Sequence, residues 1–287
     1  MTMTGILSDG QVLSYHENGY LVVPGLVSVD EVEELREDVV RICRGEYSHE
    51  NLPELDASLS AEEVLRTFLC IHHVHKISPV MLETGVKQPG LAQVLSQIIG
   101  PEVKCMQSML FVKPPGFQGQ AWHQDEMFIP TRDRSLTGGW IALDDATEEN
   151  SCLRVIPGSN HGIIYDSRPH ENPEEFDFAP ECYGFDESGE ITVEVKAGDA
   201  VFFNGYLLHR SLKNRSQQYR RVLVNHYMNA WSLLPWRPQE NLNPARWDYR
   251  DIVMICGEDP YAHKGTEDLA NVSIRTCKAA EEAMAAD

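Results

Sequence analysis

Trp122-His123-Gln124-Asp125 follows a turn rich in Pro, Gly and Gln (Pro114 to Gln120), and a lone His209 stands far downstream. In an extended segment, residues two apart share a face, so His123 and Asp125 can reach one ion together. His209 ends the run Asp199-Ala-Val-Phe-Phe-Asn-Gly-Tyr-Leu-Leu-His209, which reads as a turn, a hydrophobic strand and a polar ligand at its exit. Two neutral imidazoles and one carboxylate on one side of a metal leave positions open for other ligands, the arrangement of non-haem iron(II) oxygenases. His-x-Asp with a distant His is common by chance. The residues after it add weight: Ser211 lies two positions beyond His209, and Arg220 eleven beyond, at the start of the next strand-like run. A guanidinium grips a carboxylate with paired, charge-assisted hydrogen bonds, and a hydroxyl adds one more, as the far carboxylate of a 2-oxoacid cosubstrate requires. Arg221 adjoins Arg220, and strand alternation lets only one of them face a site. The spacing from His209 selects Arg220.

The elements that must position these residues divide into helices first and short strands afterwards. Ser28 opens a helix whose Val32, Leu35, Val39 and Ile42 recur at helical spacing. Ser60 and Glu63 form a capping-box pattern for a helix over Ser60 to Leu69, and a third helix runs from about Leu91 to Ile99. From Val103 the texture becomes that of strands: Val103 to Val112, Trp140 to Leu143, Cys152 to Ile156, Ile191 to Val195, Ala200 to Phe203 and Arg221 to Tyr227, each bounded by Gly, Pro, Asn or Asp. The expected fold is mainly β with flanking α, a jelly roll (double-stranded β-helix, cupin-like) buttressed by N-terminal helices. It is read as one domain over 1–287: a helical part to about 102, a jelly-roll core over 103–232 and a C-terminal cover over 233–287. Asp166 to Ser188 reads as a long insertion of the kind that forms lids.

These residues resemble the phytanoyl-CoA dioxygenase family of iron(II)- and 2-oxoglutarate-dependent oxygenases. The resemblance is carried by His16-Glu-Asn-Gly-Tyr20, Gln107-Ser108-Met109, Trp122 to Asp125, Trp140 to Thr147, Asn150 to Ser159, and Gly198-Asp199 through His209, Ser211 and Arg220. It implies iron on His123, Asp125 and His209. It further implies the distal carboxylate of 2-oxoglutarate on Arg220 and Ser211, with Trp140, Met109 and Gln107 around it. The reaction it implies is oxidation of a small organic molecule by O2, coupled to conversion of 2-oxoglutarate to succinate and CO2. Asp125 is a carboxylate where halogenating relatives carry a small residue, which favours hydroxylation. The part beyond about Leu233 departs from the family pattern. Two other readings are weighed: a cupin-type metalloenzyme without an oxoacid, and a non-catalytic barrel. Arg220 and Ser211 speak against the first, the intact triad against the second.

Other histidines are more ordinary. His72, His73 and His75 lack a carboxylate or Cys at metal spacing, and packing is the simpler reading, with His73 or His75 facing a substrate as the alternative. Asn225 and His226 suit cavity lining and packing equally. Trp231, Trp236 and Trp247 read as lid or core, and His161 as a turn residue. The net charge of −20, with 44 acidic and 24 basic side chains, repels nucleic acid and anionic membranes and weighs against a heavily phosphorylated substrate such as an acyl-CoA. Seven scattered cysteines without a CxxC pair, no signal-like N-terminus and no long apolar run point to the cytoplasm, with a small-molecule substrate. Assembly into a homo-oligomer is left open.

Overall fold

The computed structural model describes residues 6–47, 49, 52, 55–131, 133–232 and 250–276. Trp236, Trp247, Cys277 and most of the expected C-terminal cover, 233–249 and 277–287, lie outside the described residues.

Four α-helices occur among the described residues: α1 (Asp9–Asn18), α2 (Val29–Cys43), α3 (Ala61–Leu65) and α4 (Pro89–Ile98). Ser8, Ser28 and Ser60 each cap a helix with the Gln or Glu three residues on answering, so α1 to α3 begin with capping boxes. The helix expected over Ser60 to Leu69 is shorter. It stops at Leu65, and the chain turns into strand β2 (Phe68–His72). Phe68, Cys70 and Ile71 are buried there in a ladder with two neighbouring strands, an apolar pairing surface that outweighs local helix propensity.

The large sheet also contains β1 (Tyr20–Val23), β3 (Val103–Phe111), β5 (Thr137–Ala142), β10 (Ala200–Asn204), β12 (Val222–Asn229), β13 (Val253–Cys256) and β14 (Ser273–Thr276). Its order is β1-β10-β5-β12-β3-β2-β14, antiparallel throughout, with β13 on the edge of β3 that β2 leaves uncovered. A smaller sheet joins β4 (Gln120–His123), β11 (His209–Ser211), β6 (Leu153–Val155) and β9 (Ile191–Val193) in the order β4-β11-β6-β9. Strands β7 (Ser167–Arg168) and β8 (Glu181–Cys182) pair inside the insertion. This is the expected jelly roll, but its large sheet draws strands from all three expected segments.

Strand alternation assigns each face its cover. Ile141, Phe202, Leu223 and Tyr227 point outward and share one core with Leu35, Val39 and Ile42 of α2 and Leu91, Val94 and Leu95 of α4. Trp140, Ala142, Val201, Phe203, Val222 and Val224 point inward and meet Leu153, Val155 and Val193 of the small sheet. A shift of one residue in β12 would exchange the two sets, so burial on both faces locks its register. That register delivers Arg220, just ahead of β12, to the inner side, while Arg221 forks onto Asp144 with donor–acceptor distances of 2.8 and 2.7 Å.

Candidate active site

The two sheets enclose a cavity of about 890 Å³. His123 and His209 face each other across the β4–β11 ladder as direct partners, with ring centroids 4.0 Å apart. Asp125 lies just past β4, its Oδ1 3.7 Å from His123 Nε2 and 3.6 Å from His209 Nε2. The three are buried, and their ligating atoms all lie within 4.8 Å of one another, the one such group among the described residues.

The imidazole tautomers follow from hydrogen bonding. His123 Nδ1 is 2.8 Å from the Ala121 carbonyl and His209 Nδ1 2.9 Å from that of Leu207. A carbonyl only accepts, so Nδ1 carries the proton on each ring and the Nε2 lone pair faces the centre. Burial and the nearby His209 push His123 down to about 3, so it stays neutral at physiological pH. Burial alone would raise Asp125, but His209, His226 and His123 outweigh it and hold the carboxylate well below its usual range. His226 Nε2 donates to Asp125 Oδ2 at 3.1 Å, which occupies that oxygen and leaves Oδ1 toward the two imidazoles. Two neutral nitrogen donors and one carboxylate oxygen suit iron(II).

The residues between the ligands brace them. The Gln124 amide donates to the Ile163 and Tyr206 carbonyls and accepts from the Tyr165 N–H. Trp122 carries the Arg210 guanidinium over its ring and donates through Nε1 to Glu187 of the insertion. The expected insertion thus forms a wall, and Asp177, Phe178, Ala179 and Pro180 line the cavity.

Arg220, Ser211, Trp140, Met109 and Gln107 all line the same cavity. Arg220 is buried, lies over the Trp140 ring at 5.6 Å from its centroid, and has a buried Nε with no hydrogen-bond partner. Burial lowers it to about 10, and it makes no ion pair with a carboxylate among the described residues. A buried cation without an anion, aimed into a cavity beside a metal-type triad, fits an oxoacid's far carboxylate.

The histidine cluster divides. His72 lines the cavity, His75 Nδ1 bonds Ser108 Oγ at 2.6 Å, and His73 adopts a left-handed backbone with φ 56°. No second metal group forms from them among the described residues. The His161 ring bonds the Glu17 carbonyl, in keeping with a turn role, and Trp231 is exposed with its edge toward Tyr261. Sequence reasoning missed Lys113, the first residue after Val112, as a cavity residue. It also left open the contact of His226 with Asp125, and it did not anticipate Arg275 of β14 at the rim, paired with Asp177 at 3.0 Å. The strand period from Gln107 through Met109 and Phe111 would have placed Lys113 on the cavity face.

The sequence model of the phytanoyl-CoA dioxygenase (PhyH) family matches residues 15–222. The chain belongs to that family. It is 31% identical to a probable phytanoyl-CoA dioxygenase of Caenorhabditis elegans, over 78% of this chain and 76% of the relative. It is 28% identical to the peroxisomal phytanoyl-CoA dioxygenase of Rattus norvegicus, over 95% of this chain and 82% of the relative. Among solved structures, the epimerase SnoN in complex with Fe3+, alpha ketoglutarate and nogalamycin RO superposes with a TM-score of 0.63 at 20% identity, over 94% of this chain and 95% of that one. Family membership agrees with the expected iron(II)- and 2-oxoglutarate-dependent oxygenase and disfavours both a barrel without an oxoacid and a non-catalytic one. No helix among the described residues is long and apolar enough to cross a membrane.

Proposed function

We propose that this chain hydroxylates a small organic molecule, with iron(II) held by His123, Asp125 and His209 and 2-oxoglutarate held at its far carboxylate by Arg220 and Ser211. The observation that carries the reading is the buried guanidinium of Arg220, without an ion-paired carboxylate among the described residues, in the same cavity as the triad. Iron with 2-oxoglutarate and O2 supplies a two-electron oxidation coupled to formation of succinate and CO2. The protein's own share is placement. His123 and His209 present fixed lone pairs, and His226 keeps one Asp125 oxygen engaged. Trp140, Met109 and Gln107 flank the oxoacid end, while His72 gives the substrate side a polar group. A carboxylate at position 125 favours transfer of oxygen over halogenation.

A free metabolite is the favoured substrate class. The cavity has the size of a small-molecule site. The other arginines lining it are already neutralised: Arg210 by Glu190 and Arg275 by Asp177. The phosphates of an acyl-CoA would therefore meet paired cations. The names of the relatives support the opposite reading, so phytanoyl-CoA belongs in the test. The buried thiols among the described residues suit a reducing compartment, and the cytoplasm is the placement proposed.

The test is succinate formation from 2-oxoglutarate in the presence of iron(II) and O2, followed over a metabolite library and phytanoyl-CoA. Succinate coupled one-to-one to a hydroxylated small metabolite is the expected result. Coupling to phytanoyl-CoA alone would refute the substrate class, and no succinate with any compound would refute the reaction.

A further inference from the structure

A second cation is buried at the Arg220 end of the cavity. Lys113 is 3% exposed, and no carboxylate among the described residues lies within ion-pair distance of it. Its ammonium donates to three uncharged oxygens: Ser151 Oγ at 2.5 Å, the Leu212 carbonyl at 2.9 Å and Ser211 Oγ at 3.2 Å. The nearest acids, Asp177 and Glu175, are held by Arg275 and Arg215. Burial, and then Arg220, drive the lysine well below its ordinary range. Two adjacent buried cations without an anion disfavour each other until a negative charge arrives.

The hydrogen bonds around Ser211 have a direction. Its Oγ accepts from Lys113 Nζ and from the Gln120 backbone N–H at 3.3 Å. A hydroxyl has two lone pairs and one proton, so both acceptor positions are taken and the O–H is left to donate. Ser211 lines the cavity together with Arg220 and Lys113. The acceptor that completes this set is a carboxylate.

We propose that Lys113 is a positioning residue for the cosubstrate: it sets the Ser211 hydroxyl as a donor toward the distal carboxylate of 2-oxoglutarate and adds a second buried positive charge beside Arg220. This rests on the function proposed above for that end of the cavity. It assigns a role to a side chain that neither holds the metal nor meets the substrate.

The test compares equilibrium binding of two oxoacids to the iron(II)-loaded, anaerobic protein by calorimetry. One is 2-oxoglutarate and the other 2-oxobutyrate, which chelates a metal alike but has no far carboxylate. Lys113→Met is expected to weaken 2-oxoglutarate roughly tenfold or more, the scale of hydrogen bonds to a charged group, and to leave 2-oxobutyrate within about twofold. Ser211→Ala, which keeps the ammonium in place, is expected to show the same selectivity. The double variant is expected to lose less than the product of the single losses, because the two groups act through one hydroxyl. Equal losses for both oxoacids, or no loss, would show a merely structural lysine and overturn the inference. If Lys113→Met fails to fold, Lys113→Gln, which keeps a polar chain but removes the charge, decides: unchanged 2-oxoglutarate binding overturns the inference and a selective loss upholds it. If the wild-type protein binds no 2-oxoglutarate, the proposed function itself falls and takes this inference with it. Wild-type binding with unselective variants removes this inference alone.

Discussion

The closed end of the cavity and its rim are built from the same kinds of side chain but balanced in opposite ways. At the rim, Arg210 and Arg275 each have a carboxylate partner, at 2.7 and 3.0 Å. At the closed end, Lys113 and Arg220 are more deeply buried and, among the described residues, have only neutral oxygens or an aromatic face beside them. These pairs shape a wall and already satisfy their charges, so they have little to offer an incoming anion. Unpaired cations out of water are costly, and such a site is stable chiefly when an anion from outside completes it. The asymmetry therefore distinguishes the end that receives a carboxylate from the walls that choose a substrate.

The comparison can be broken most sharply at the point both ends share. His209→Ala removes a neutral nitrogen donor and is expected to abolish iron retention and turnover, as read by metal analysis after desalting. Arg220→Ala is expected to raise the dissociation constant of 2-oxoglutarate by roughly two orders of magnitude, as loss of a buried charged partner does, with iron content unchanged. His226→Ala is expected to reduce iron affinity by about 10- to 100-fold, as removal of a partner of a ligating carboxylate does, with little effect on oxoacid binding in the iron-saturated protein. Arg275→Ala at the rim is expected to leave 2-oxoglutarate binding within about threefold, while the KM of the organic substrate rises. An Arg275 effect as large as that of Arg220 would erase the distinction between the two ends.

The smallest effect concerns the histidine cluster at and beside the cavity wall. Burial lowers His72 to about 3, and His73 and His75 to about 4, from an ordinary value of 6.5. Unfolded chains take up protons at these positions below 6.5 and the folded protein does not, so stability falls as pH drops from about 6.5 toward 4. His75→Gln is expected to flatten this slope, with a smaller drop in melting temperature by on the order of several degrees. An unchanged slope in this variant would place the acid sensitivity elsewhere.

Much of this site was legible before any coordinates. Residue spacing brought His123, Asp125, His209, Ser211 and Arg220 into one cavity, because strand period and ladder pairing convert spacing into shared faces. Helix starts were legible where Ser and Glu or Gln made reciprocal caps. The missed features depend on contacts distant in sequence. Phe68–His72 became a strand because β3 and β14 lie on either side of it, and nothing local announces either partner. His226 could not be tied to Asp125 without the fold that brings positions 101 apart to 3.1 Å. Lys113 stands one residue past the expected strand, and its lack of an ion-paired carboxylate among the described residues is a property of packing alone.

The central claim is that the triad and the cation-rich end together hold iron(II) and 2-oxoglutarate. It is tested most directly by adding iron(II) and then 2-oxoglutarate to the protein without oxygen and recording the visible spectrum. A weak metal-to-ligand charge-transfer band that saturates with 2-oxoglutarate in the wild type, and is absent in His209→Ala, is the result the account predicts. No band in an iron-loaded wild-type protein at saturating 2-oxoglutarate would contradict it.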